Sequence, residues 1–325
     1  MTRRHIAYCV LTCALLGSSF TVSRSIGSFP VLTGQALRYT LAALALFALL
    51  ATSQRRLPTL RELVRLGAVA ATGLVLFNVL LLAALRHADP AVIGTIVGVS
   101  PLVLALLGPL QEGRRPSRRL LLAGGVVVLG AALVEGFGHT DPAGLWAAVG
   151  VLGCEAAFSL LAAPLLPRLG PVRVSAWSTL LAVPILLLLV PVTGERPRLP
   201  TREEAAAIAF LGLVLTVVAF VCWYAAVAGL GVDRAGLFVG LVPVFALLTV
   251  SIVDGVRPGL PRVAGVLLVG SGLVLAARNV GQRVKQDAWQ APRSSSAPAA
   301  SPASHGNSES SSACTTGAST SAAPT

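Results

Sequence analysis

Ten stretches of about twenty apolar residues, separated by short breaks, set the terms for everything else in this chain. They run over residues 6–24, 31–51, 64–84, 91–110, 118–135, 143–163, 172–192, 204–226, 235–253 and 261–277. A helix of about 20 residues crosses a hydrocarbon core of about 30 Å. None of the stretches alternates polar and apolar residues with period two. Backbone in lipid must also satisfy its own hydrogen bonds, so helices are expected rather than barrel strands. The expected fold is an all-α integral membrane bundle of ten transmembrane helices.

Composition agrees, with 55% hydrophobic and 12% charged residues in 325. The formal charge of +12 would suggest nucleic acid in a soluble chain. Here almost every base lies in a short loop between apolar runs, so the charge marks topology and no nucleic-acid partner is expected. With the N-terminus inside, seventeen Arg and Lys fall in cytoplasmic segments and seven in external loops. Both termini are therefore expected in the cytoplasm, and the protein in the cytoplasmic membrane. Arg3 and Arg4 ahead of an apolar run resemble a secretory signal, but the run continues through "LLGSSFTVSRSI" without a small-x-small site, which favours an uncleaved first helix.

Lys285 is the only lysine, so a phosphate loop ending in Gly-Lys is absent and a gradient or a partner must supply energy. Cys9, Cys13, Cys154 and Cys222 lie in apolar runs without metal-ligand spacing, and no metal or cofactor is expected. Residues 280–325 form a low-complexity Ser/Ala/Pro/Thr tail, expected to be disordered.

The phrase "PLQEGRRP" at 109–116 returns as "SIVDGVRP" at 251–258. Sliding residues 98–133 onto 240–275 gives nine identities in 36 positions, six of them Gly, Pro or Arg. Shared apolarity does not favour those residue types, so the chain reads as a duplication: residues 1–138 and 139–279, five helices each. An odd number of crossings makes the second copy enter from the opposite side. Inverted repeats suit secondary transporters, in which two similar halves exchange roles around a midplane site.

The residues that carry a family resemblance are "LLGSSFTVSRSI", Pro30 with Arg38 in "FPVLTGQALRYTLAALAL", and "ALRHADPAVIGTIVGVSPLVLALLGPLQEGRRP". With them the chain resembles the EamA-like family of the drug/metabolite transporter superfamily over residues 5–278. The resemblance implies a cavity walled by helices one to four and six to nine, peripheral fifth and tenth helices, and gradient-driven movement of small metabolites, often outward. Two departures stand out: Asp254 replaces the usual Glu, and no Arg in the seventh helix answers Arg38.

Candidate site residues follow from polarity at depth. Glu155 lies about 18 Å below the start of the sixth helix and Arg38 about 12 Å into the second. A charge there costs roughly 2.5–3.5 kcal/mol or more unless it meets water, a partner or a proton. Glu155 reads as a coupling or substrate carboxylate, or as a buried structural acid. Arg38 reads as a binding group or a packing lock, and the two are within reach of pairing with each other. Ser19, Gln35 and Asn78 sit at cavity depth, although a serine often bonds its own helix carbonyl, as for Ser18. Arg24 is expected to snorkel to the headgroups. Trp223 and Tyr224 stack on a flat solute or join an interfacial belt. Pro101 and Pro243 are gating candidates, because each removes the amide that would pair four residues back. Glu112 and Asp254 are expected to pair with Arg115 and Arg257 in the loops. Glycines on the fifth and tenth helices predict close packing first and a homodimer contact second.

The function these features support is a secondary transporter, an exporter by resemblance, for a small-molecule solute such as an amino acid, metabolite or drug-like compound, coupled to a gradient such as protons. The alternative is a membrane-embedded enzyme on a lipid-linked substrate. The absence of His-Glu-x-x-His and of an acidic cluster argues against it.

Overall fold

Thr59 and Thr201 open their helices by the same device. Each side chain accepts the amide of the glutamate three residues on, Glu62 or Glu204, whose carboxylate returns to the threonine amide. This reciprocal cap satisfies N-terminal donors that the helix leaves unpaired. Thr201 stands 142 residues after Thr59, the same offset that aligns the two repeated phrases.

The computed structural model describes residues 2–24, 27–51, 57–255 and 257–290. The elements are α1 (Thr2–Arg24), α2 (Val31–Leu50), α3 (Leu60–Val69), α4 (Phe77–His87), α5 (Pro90–Val97), α6 (Ser100–Gln111) and α7 (Arg118–Glu135). They continue with α8 (Pro142–Ala162), α9 (Leu166–Val192), α10 (Arg202–Phe210), α11 (Ala219–Leu230), α12 (Val232–Leu237), α13 (Leu241–Val253) and α14 (Leu260–Gln290). Among the described residues there is no strand, only an isolated bridge between Ala88 and Thr140. Residues up to Val284 form one unit, and a second begins at Lys285. The tail from 291 onward and the Arg24 side chain lie outside the described residues.

Several helices join end to end. Wide π turns at Ala70–Leu76 and Leu211–Val218 link α3 to α4 and α10 to α11. Among the described residues six stretches are long and apolar enough to cross a membrane: Val31–Leu50, Leu60–His87, Pro90–Gln111, Pro142–Val192, Arg202–Leu230 and Val232–Val253. The Pro142–Val192 stretch is broken by a kink at Gly170, whose φ of 75° only glycine adopts without strain. The 142-residue offset reappears in the loops, where Gly113 and Gly255 have φ of 68° and 67°.

Packing is close where side chains are small. A Cβ on Gly130 would lie 2.7 Å from the Gly265 carbonyl oxygen, and one on Gly265 2.6 Å from that of Gly130. The glycines expected to smooth the fifth and tenth runs thus let α7 and α14 touch backbone to backbone. The core includes Leu66, Leu74, Leu169, Leu186 and Tyr224, all fully buried.

Polar ties hold the ends of the bundle. At one end Arg168 grips the Glu62 carboxylate, and Arg114 lies 2.5 Å from Glu112 and 3.9 Å from Asp233. The partner of Glu112 is thus Arg114, not the expected Arg115, because the positive-φ turn at Gly113 folds the next residue back over it. At the other end Arg198 pairs with Glu204 at 2.5 Å and lies 4.8 Å over the Phe29 ring.

Candidate functional site

Glu155 belongs to α8, a helix with a well-defined start. Pro142 fits its first turn, and Asp141 caps it by accepting the Gly144 amide at 2.8 Å. From that anchor Glu155 projects half-buried into the bundle and accepts the Ser100 hydroxyl at 2.9 Å. Ser100 is fully buried and begins α6, just past the break at Gly98 and Val99. Its Oγ also lies 2.6 Å from the Val97 carbonyl oxygen.

Arg38, on α2, is half-buried as well. Its Nε donates to Thr216 Oγ1 at 2.7 Å, and a terminal nitrogen donates to Gln35 Oε1 at 3.4 Å. Its guanidinium carbon stands 5.4 Å from the Tyr39 ring centre. The Asn78 amide donates to Leu74 O at 2.6 Å and to the Tyr39 hydroxyl at 3.4 Å. Arg38 and Asn78 thus both meet Tyr39, while Gln35 and Thr216 accept from the Arg38 guanidinium. Glu155 is not among them: among the described residues, no ion pair joins it to Arg38.

A carboxyl and a guanidinium therefore stand in an apolar bundle, each held, among the described residues, by neutral hydroxyl or amide groups. A charge so placed calls for water, a counter-ion or a proton.

Trp223 and Tyr224 lie inside the packing, 6% and 0% exposed, rather than in a belt. The Trp223 indole donates to Ser159 Oγ at 3.0 Å, one turn beyond Glu155. Tyr224 stacks on Phe158 with centroids 5.1 Å apart, and its hydroxyl has no hydrogen-bond partner among the described residues. Ser19 is buried and bonds its own helix at Leu16 O, 2.7 Å away. Pro101 and Pro243 both sit just after helix breaks: α5 ends before Gly98, and a 3-10 turn at Phe238–Gly240 separates α12 from α13.

A separate recess of about 460 Å³ opens at the end of α4, lined by Leu85, Arg86, His87, Ala88, Asp89, His139, Thr140 and Asp141. His87 Nδ1 lies 2.8 Å from Asp141, and the His139 amide donates to Asp89 at 2.8 Å. The Gly144 amide, and then His87, hold the Asp141 carboxyl below the usual carboxylate range.

Ser100, Thr216, Tyr39 and Ser159 did not stand out in the sequence, since each gains its role from a partner on another helix. Pro101 was the one available signal for Ser100, because it exposes a carbonyl nearby.

Comparison with known proteins gives the arrangement its family. The sequence profile of the EamA-like transporter family matches residues 3–136 and again 142–278. The uncharacterized transporter YdeK of Bacillus subtilis is 28% identical over 234 residues, 70% of this chain and 80% of that protein. A probable terminal-alkyne amino-acid exporter of Streptantibioticus cattleyicolor is 26% identical over 280 residues, 84% of this chain and 94% of that one. A solved crystal structure of a protein at 21% identity superposes with a TM-score of 0.70, over 82% of this chain and 95% of that one, a likeness of fold. The profile spans nearly all of the helical bundle, and the relatives are named as transporters, so the chain belongs to the EamA-like transporter family and is a multi-pass membrane transporter.

Proposed function

We propose that this transporter exports a small amino-acid-like solute across the cytoplasmic membrane in exchange for protons. In this reading ten helices cross the membrane as two inverted five-helix repeats, with both termini in the cytoplasm. The observation that carries it is the pair of half-buried ionisable groups, Glu155 and Arg38, whose hydrogen-bond partners among the described residues are neutral. An amino acid brings a carboxylate for Arg38 and an ammonium for Glu155. The ammonium and a proton compete for the same carboxylate, and that competition is the physical basis of exchange. The amino-acid exporter among the relatives supports the substrate class, and the repeated backbone devices at one offset support the duplicated architecture.

Purified protein in proteoliposomes tests it, with labelled neutral amino acids and an imposed pH gradient. Gradient-driven flux that a protonophore collapses is expected. Glu155→Gln should abolish gradient-driven flux and weaken binding of the amino acid, since the amide offers neither a proton site nor a charge for the ammonium. Driven flux at the wild-type rate in Glu155→Gln removes the proton assignment.

A further inference from the structure

The Ser100 hydroxyl faces two acceptors with one hydrogen. Its Oγ lies 2.6 Å from Val97 O and 2.9 Å from Glu155 Oε2, and a serine hydroxyl donates once. Val97 O is the carbonyl that Pro101 leaves without an amide, since proline has no N–H to return four residues back. Three neighbouring amides are engaged elsewhere. Gly98 N donates to Gly94 O at 2.8 Å, Val99 N to Ile96 O at 3.0 Å and Leu102 N to Val99 O at 2.9 Å. Ser100 is fully buried, so bulk water does not replace a partner lost there.

We infer that Ser100 is a positioning residue that reads the protonation state of Glu155 and passes it to the break between α5 and α6. The inference rests on the reading of Glu155 as the proton-binding group. With a proton on Glu155, its O–H donates to Ser100 Oγ and Ser100 donates to Val97 O. Two hydrogen bonds in series then close the break. When Glu155 ionises, its proton leaves to water and the Ser100 hydrogen turns to Oε2. Val97 O loses the hydroxyl that Ser100 gave it, and the break loosens. The Glu155 O–H is the only covalent bond that changes.

The surroundings leave Glu155 as the group that can send this signal. Of the helices packed on α8, α3 carries Arg61, Glu62 and Arg65, and α4 carries Arg86 and His87, all near helix ends. Residues 66–84 and 90–111 contain no Asp, Glu, Lys, Arg or His. α11 contributes Cys222 and Tyr224, and α1 contributes Cys13, whose thiol donates to Phe238 O at 3.0 Å. Val242 stands 142 residues after Ser100, before Pro243, and has no hydroxyl. The second break therefore lacks the relay.

Hydrogen–deuterium exchange on the full-length protein in lipid nanodiscs tests this, at about pH 5 and about pH 9 with the intrinsic pH effect divided out. In the wild type, the amides of residues 98–100, 102 and 103 should lose protection by about tenfold at the higher pH. Glu155→Gln should stay protected at both. Ser100→Ala should be loose at both while the infrared band of the protonated Glu155 carboxyl still titrates, and Ser100→Thr should restore the response. Exchange in α9 checks that each variant is folded. If Ser100→Ala keeps the wild-type pH ratio while Glu155→Gln loses it, the relay is wrong and the proton assignment stands. If Glu155→Gln keeps the ratio, both are wrong.

Discussion

Glu195 closes the N-terminus of the helix that carries Thr33. Its carboxylate accepts the Thr33 amide and hydroxyl, each at 2.8 Å, and the Leu32 amide at 2.9 Å, from 162 residues away. Pro30 precedes α2 and has no side chain to cap it, so a distant acid does so. Glu195→Ala should cost about 1–3 kcal/mol of stability. Thermal unfolding in detergent would show the loss, and an unchanged midpoint would mean that the cap is dispensable.

The recess at the end of α4 should respond to acid. Asp141 has its carboxyl pKa lowered from 3.8 in the folded state by the Gly144 amide and then His87. The unfolded chain therefore takes up protons first as pH falls. The contribution of Asp141 is complete above about pH 4 to 5 and is lost as pH drops through the folded value. Asp141→Ala should lower the unfolding midpoint at neutral pH, and the deficit should shrink below about pH 4. A deficit independent of pH would contradict this.

Two glycines on α7 should answer differently to the same methyl group. A Cβ on Gly130 meets Gly265 O and Val269 N at 2.7 Å each, whereas nothing lies within 4 Å of one on Gly125. Gly130→Ala should destabilise by about 1–3 kcal/mol. Gly125→Ala should be neutral or stabilising by up to about 1 kcal/mol through helix propensity. Parallel unfolding curves separate the two, and equal effects would refute the close approach of α7 and α14.

Thr216 anchors the Arg38 guanidinium through Nε. Thr216→Val keeps the shape and removes that acceptor, which should weaken binding of a carboxylate-bearing solute by about tenfold. An amine lacking the carboxylate should be unaffected. Binding titrations with matched amino acid and amine would show the difference, and equal losses for both would place the effect in packing.

Helical spans and the repeated phrases were open to reading because they depend on composition and on glycine and proline at fixed spacing. Gly113 and Gly255 share their backbone angles for that reason. The paired Thr-x-x-Glu caps at 59–62 and 201–204 were equally visible in the sequence, though the alignment of 98–133 stopped short of them. The pairing of Arg38 was less accessible. Rise per residue fixes how deep a side chain lies, but not its angle around the helix, and the angle brought Arg38 to Thr216 and Gln35 while Glu155 met Ser100. Trp223 and Tyr224 looked interfacial because of their place near a helix end. Phe158 and Ser159 on a neighbouring helix draw them inward.

The π turn at Ala70–Leu76 has a practical outcome for anyone engineering this protein. An ordinary helix advances by about 100° per residue, and a wheel drawn from Leu60 to His87 at that pitch drifts out of phase once it passes the wider turn. Positions from Phe77 on then come out on the wrong side of the drawing, and Asn78 among them would be aimed away from Tyr39. Mutagenesis libraries across this stretch should restart their angular count at Phe77, and again at Ala219 in the matching stretch.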